Sequence, residues 1–273
     1  MCTVLLHEHA TCTGELGLCF MFSSIAARLC QALQLNLEAD YDVLCANSSL
    51  PPTEKESRRR LMWACYLIDV IITAGVDQLQ LIRASDIKIQ LPCDDQYFLL
   101  RRACITETLE PGSILEFIPL DQVPADSAEK LGYRAYFVRL TSIRSRVLRY
   151  IKHYTAEEVP WNSSSTFQLL LNDLNQWRDS LPEDLAFTEE VIYLRKDQLQ
   201  LAPLVYLHSA YHTSYCDLYR IMVPFMAFPP EAHTQSHYAL LQNSSHTHNK
   251  LGFTIRQNQQ RSFVLPFNTH LFR

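Results

Sequence analysis

Thr53-Glu-Lys-Glu-Ser-Arg-Arg-Arg-Leu-Met-Trp-Ala-Cys-Tyr-Leu-Ile-Asp-Val-Ile-Ile-Thr-Ala-Gly75 is the stretch on which the fold turns. Leu61, Ala64, Cys65, Ile68, Ile71, Ile72 and Gly75 recur at three and four residues, which places them on one face of an α-helix. Pro51 and Pro52 precede the run. Thr53 and Glu56 have the T-x-x-E spacing of a capping box, in which each side chain satisfies a backbone donor at the helix start. Gly75 can enter the left-handed conformation that closes a helix. The stretch predicts a long amphipathic helix with one buried face.

The same periodicity extends in both directions. Residues 23–37 carry Ile25, Leu29, Ala32, Leu33 and Asn36 on one stripe, predicted to face the core. Residues 129–154 place Tyr133, Tyr136, Phe137, Leu140, Ile143, Val147, Leu148 and Ile151 together. A helix is expected after the Ser163-Ser164-Ser165 cluster, with Leu170, Leu174, Trp177 and Leu181 on one side and Pro182 as its stop. Another is expected over 197–221, where Pro203 fits only near a first turn. Residues 85–93 alternate like a short strand that Pro92 ends, and read as an extended segment on the helices. The expected fold is all-α, a single large domain of packed amphipathic helices at 20–224. Residues 1–19 are expected to be irregular. Residues 225–273, rich in Asn, Gln and Ser without a period, are expected to form a poorly ordered tail.

Composition narrows the function. Apolar residues make up 48% of the 273, enough for a sizeable core. A net charge of -5 argues against a whole-chain footprint for nucleic acid. Only 6 glycines disfavour sheet-rich folds and phosphate-cradling loops. The 9 cysteines form no C-x-x-C pair, which points to a reducing compartment and no disulfide framework. The N-terminus lacks a cationic leader, and no uncharged apolar run reaches the ~18 residues of a membrane span. A soluble, intracellular protein is expected, with no membrane partner.

Candidate sites are few. His208, His212 and Cys216 share a helix face, and two histidines four apart is metal-ligand spacing. No glutamate follows His208 as in a metalloprotease helix, and the surrounding tyrosines favour a packed, hydrogen-bonded helix. Lys130, Arg134, Arg139, Arg146, Arg149 and Lys152, with Arg144 at the apolar edge, form a basic face. That face reads as solvated and paired with acidic neighbours. Asp69 beside a buried stripe reads as the partner in an ion pair or in a hydrogen bond to a neighbouring helix. Asp217 and Arg220, three apart, can pair along their helix. No nucleophile elbow, Walker or dinucleotide pattern is present. No catalytic site is read.

Taken together, five segments resemble the regulatory, or middle homology, region of fungal zinc-cluster transcription factors. They are residues 25–38, the segment 56–69 with Arg59, Arg60, Trp63, Tyr66 and Asp69, and the segment 86–98 with Leu91-Pro92. Residues 174–182 follow with Trp177 and Leu181-Pro182, then 207–224 with His208, His212, Asp217 and Arg220. The resemblance implies an all-α nuclear domain that regulates RNA polymerase II genes through a small-molecule effector or protein partners. It implies no catalytic residues and no cofactor in this chain. The family's zinc belongs to a six-cysteine DNA-binding module with C-x-x-C pairs, which this sequence lacks. Contact with DNA is therefore expected only indirectly or through that other domain. Two further readings are an effector-binding helical module and a metal enzyme built on His208, His212 and Cys216.

Overall fold

The structure, a computed structural model, describes residues 1–40, 50–119, 123–154, 160, 162–198 and 200–221. Their regular elements are α1 (Cys2–Thr13), α2 (Leu16–Ala32), α3 (Pro52–Thr73), α4 (Asp95–Leu99), α5 (Tyr133–Lys152), α6 (Thr166–Asp179), α7 (Glu189–Asp197) and α8 (Leu201–Arg220). The fold is all-α, as expected. Among the described residues the only β pairing is two isolated bridges, Leu37 with Lys88 and Cys93 with Leu131. Two compact units are present, one containing Met1–Thr141 and the other beginning at Ser142, so the boundary falls inside α5.

In the first unit, α2 packs against both α1 and α3. Residues 1–19, expected to be irregular, form α1 and the start of α2. The buried positions of α1 are Val4, His7, Glu8 and Ala10, a half-polar set that leaves no hydrophobic period to read. The stripe of α2 is also reversed. Cys19, Ser23, Ala26, Ala27 and Cys30 are buried, while Leu18, Met21, Ile25, Leu29 and Leu33 are exposed. The residues that α2 buries are thus the small ones.

The long helix α3 forms as predicted, but its start differs. Pro51 is the N-cap and Pro52 the first helical residue, a position where the missing N–H costs nothing. The Thr53–Glu56 capping box does not form, because Glu56 turns into the protein. The helix closes at Ala74 and Gly75, both left-handed at φ 47° and 80°. Residues 85–93 begin as a single 3₁₀ turn at Ala84–Asp86 and then extend. Three hydrogen bonds place the extended part: Lys88 N to Asn36 O at 2.7 Å, Leu91 N to Glu107 O at 2.8 Å and Asp94 N to Lys130 O at 2.9 Å. Gly132 permits the last of these, since a Cβ there would lie 2.8 Å from Asp94 Cα.

In the second unit α8 packs on α6 and α7. Ser165 caps α6 as its position implied, its Oγ accepting from Gln168 N at 3.2 Å. Trp177 stacks on Tyr211 with ring centroids 5.5 Å apart. The helix expected over 197–221 begins at Leu201, so Pro203 falls in a first turn whose N–H groups have no intrahelical acceptor. The expected tail at 225–273 lies outside the described residues.

Candidate functional site

The inward face of α3 organises the first unit. Glu56, almost fully buried, accepts from Arg60 Nε at 2.9 Å, from Arg59 Nη1 at 3.4 Å and from the Cys93 backbone N–H at 3.0 Å. Arg59 Nε also donates to Glu38 at 2.7 Å. Arg60 reaches Asp95 Oδ1 at 2.7 Å and the Cys93 carbonyl at 3.1 Å, and its guanidinium lies 4.2 Å over the Phe98 ring. Arg134 joins the same Asp95 oxygen. Burial opposes the charge on Asp95, yet Arg134 and Arg60 hold its carboxyl below the ordinary value.

Further along the same face, Trp63 Nε1 donates to Gln90 O at 2.9 Å and the ring meets Tyr66 edge-on at 5.5 Å. Asp69 accepts from the backbone N–H groups of Leu81 at 3.0 Å and Ile82 at 2.8 Å. Burial pushes its pKa up against those two donors. Its partners are thus the non-helical backbone beyond α3 and not the neighbouring helix that was expected. Leu91 and Pro92 are buried in the segment these residues hold.

Between α3 and that segment lies a cavity of about 430 Å³. Lys55, Arg59, Arg102 and Lys130 oppose Glu38, Asp40 and Glu56 around it, and Ile105, Leu115, Phe117 and Ile118 supply an apolar wall. Its size is within the usual range for small-molecule sites. Cys93 and Cys104 also line it. Sequence periodicity could not find this cavity, because most of its wall comes from irregular chain between residues 102 and 130.

In the second unit His208 is buried and its Nε2–H donates to Leu185 O at 2.8 Å. Burial pushes its pKa down, with the Leu185 carbonyl working against that shift. His212 meets Tyr211 edge-on at 5.1 Å. Among the described residues no group of three or more His, Cys, Asp or Glu side chains could hold a metal ion. Asp217 pairs with Arg220 at 3.0 Å, as the spacing implied, and with Arg144 at 3.0 Å. Trp177 is in the core, with Leu181 and Pro182 half-buried beyond the end of α6.

The basic face is largely neutralised. Lys130 pairs with Asp126 at 2.6 Å, Arg139 with Glu107 at 2.7 Å and Arg146 with Asp173 at 2.6 Å. Arg139 departs from the solvated role expected of it: it is buried, and also donates to the Thr108 and Leu109 carbonyls.

Comparison with known families assigns this arrangement. The fungal specific transcription factor domain matches residues 2–179. The chain belongs to that family. An uncharacterized transcriptional regulatory protein of Schizosaccharomyces pombe is 33% identical over 223 residues, covering 79% of this chain and 22% of the relative. A Zn(2)-C6 fungal-type transcription factor, FTF1c, of Fusarium oxysporum f. sp. lycopersici is 30% identical over 209 residues, covering 74% of this chain and 22% of its own length. No solved structure matches. The chain thus spans about a fifth of the length of these relatives.

The family match begins within α1, where 20–224 was expected, and ends with α6. In this fungal transcription factor domain the signature segment 56–69 therefore works as a brace. It ties α3 to residues 38, 81–82 and 90–95 through ion pairs and hydrogen bonds. The eight described cysteines are all free thiols.

Proposed function

We propose that the chain is the regulatory part of a nuclear RNA polymerase II transcription regulator, and that it acts without catalysis through an effector held in the cavity beside α3. The cavity is the observation that carries this reading. Its described lining sets four basic against three acidic side chains, with an apolar wall opposite. Most of the bases are already matched, Lys55 by Asp40, Arg59 by Glu38 and Glu56, and Lys130 by Asp126. Such a lining suits an amphipathic molecule that is neutral or carries one negative charge, with its apolar body against Leu115, Phe117 and Ile118.

Occupancy would bear on the brace directly, since Glu56 and Arg59 belong to both. Effector binding is then proposed to alter the protein contacts by which the domain regulates transcription. Contact with DNA is assigned to a zinc module elsewhere in a longer protein. The relatives' greater length supports that assignment, as does the Zn(2)-C6 name of the Fusarium protein.

A thermal-shift screen of small amphipathic acids and neutral compounds tests the effector, because a ligand bound only by the native state raises its melting temperature. Ile118→Trp is designed to fill the cavity. Compounds that stabilise the wild type are expected to lose their effect in that variant. A screen without such compounds, or shifts that persist in Ile118→Trp, would count against the cavity as the effector site.

A further inference from the structure

We propose that Arg102 is the anion-binding residue of the cavity beside α3, and that the effector it selects is a small amphipathic monocarboxylate. This inference rests on the reading of the cavity as an effector site and narrows that site to one ligand class. Charge in and behind the wall sets the class. Lys55 is matched by Asp40, Arg59 by Glu38 and Glu56, and Lys130 by Asp126, while Arg60 and Arg134 share Asp95. Arg102 also lines the cavity, yet among the described residues its guanidinium has no ion-pair or hydrogen-bond partner. Six cations of this network thus face five carboxylates, and one bound carboxylate brings it to neutrality.

The chain fixes where Arg102 stands. After α4 ends at Leu99, Arg101 takes a left-handed φ of 55°, which residues with a Cβ seldom adopt. The Arg102 backbone N–H then closes the turn on Tyr97 O at 3.0 Å. Further on, Gln90 Nε2 donates to Cys104 O at 3.0 Å, and the Thr106 N–H donates to Gln90 Oε1 at 2.9 Å. The backbone is tied on both sides of Arg102, while its side chain is exposed and uncommitted. A guanidinium in that state offers its fork of N–H donors to a carboxylate without breaking an existing pair.

The rest of the lining selects against other ligands. Glu38 and Glu56 are buried and already accept from arginines and backbone N–H groups, so neither is left to hold a cationic ligand. A dianion would leave one negative charge facing Glu38, Asp40 and Glu56. Ile105, Leu115, Phe117 and Ile118 suit a short alkyl or aryl body rather than a phosphorylated sugar or nucleotide. With each water taking about 30 Å³, a cavity of about 430 Å³ has room for roughly a dozen non-hydrogen atoms.

The test uses the whole purified chain and three probes of similar size: 4-phenylbutyrate, its neutral amide 4-phenylbutyramide, and the dicarboxylate benzylmalonate. Affinities come from the dose dependence of the melting temperature. 4-Phenylbutyrate is expected to bind at least about fivefold more tightly than either of the others, the scale of one charge-assisted hydrogen bond at a partly solvated site. In Arg102→Gln the preference for acid over amide is expected to vanish while the amide binds as before. The ligand-free melting temperature is expected to stay the same, because the replaced side chain has no partner to lose. Arg102→Lys is expected to keep part of the preference, since it retains the charge without the fork. Equal binding of acid and amide, a preference that survives Arg102→Gln, or tighter binding of benzylmalonate would overturn the proposal. The cavity reading would still stand if Ile118→Trp abolished every shift. No shift with any of the three probes would also overturn the proposal, and the broader screen then judges the cavity alone. Shifts that persist in Ile118→Trp would remove the cavity reading and this proposal together.

Discussion

Glu56 holds two arginines and a backbone N–H on one buried carboxylate, with both arginines largely shielded from water. Removing one partner of such a group leaves the others charged and buried, which costs more than the pair contributes. Glu56→Gln is therefore expected to lower the unfolding free energy by about 3 kcal/mol, read by urea denaturation. A loss under 1 kcal/mol would mean that Glu38 and Asp95 hold Arg59 and Arg60 unaided. His208 gives a pH prediction. Burial places its folded pKa below the ordinary 6.5, so as pH falls the unfolded chain takes up the proton first. The stability it contributes is full above about 6.5 and is lost as pH falls from there to the folded value. His208→Gln keeps an N–H for the Leu185 carbonyl and should flatten that part of the pH–stability curve. An unchanged slope would assign the loss to another group, such as His7, whose pKa burial also lowers. These residues were unequally legible. Asp217 pairs with Arg220 and His208 is packed and hydrogen-bonded, as read from the sequence, whereas Asp69 bonds loop backbone where a helix was expected. Glu56 did not, because T-x-x-E reads the same whether the glutamate caps its own helix or turns inward to arginines.

At the scale of elements, helices with one large apolar face were legible and helices with mixed faces were not. The buried face of α6 follows its sequence stripe and that of α5 does so only in part, since Ala135, Val138, Arg139, Thr141 and Ser145 are buried as well, whereas α1 buries a histidine and a glutamate and shows no stripe. In α2 the stripe was read correctly as a helical face but assigned to the wrong side. Periodicity reports that residues share a face, not which face the neighbours cover. The contact through Ser23, Ala26 and Ala27 sets a testable asymmetry. Ile25→Gln and Leu29→Gln replace exposed side chains and are expected to change stability by less than about 0.5 kcal/mol. Ala27→Leu forces extra volume into a fully buried position and is expected to cost about 2 kcal/mol. Denaturant midpoints of the three variants measure the difference, and the opposite order would restore the reading of α2 from sequence. The cavity lies at the far end of this scale. Its wall is loop and extended chain, where side-chain order is set by long-range backbone bonds that no local pattern announces.

For the whole molecule, the division into two compact units at residue 141 was hidden because it falls within one continuous amphipathic helix, with no break in composition. Charge was the more readable property, and it leads to a prediction about DNA. Affinity for duplex DNA comes mainly from cations free to replace counterions on phosphates. Here the net charge is -5, and the basic residues of α5 and its approach are already engaged. Lys130, Arg134, Arg139, Arg144 and Arg146 each pair with a carboxylate. A phosphate would have to displace a partner already held in place, and the remaining acids would repel it. The purified chain is therefore expected to leave the fluorescence anisotropy of a labelled duplex unchanged up to about 100 µM protein at about 0.15 M salt, the weak end of the usual range of non-specific binding. Saturable binding in the low micromolar range, weakening steeply as salt rises, would show that the pairs on α5 open to phosphate. DNA contact would then belong to this domain itself rather than to a separate zinc module.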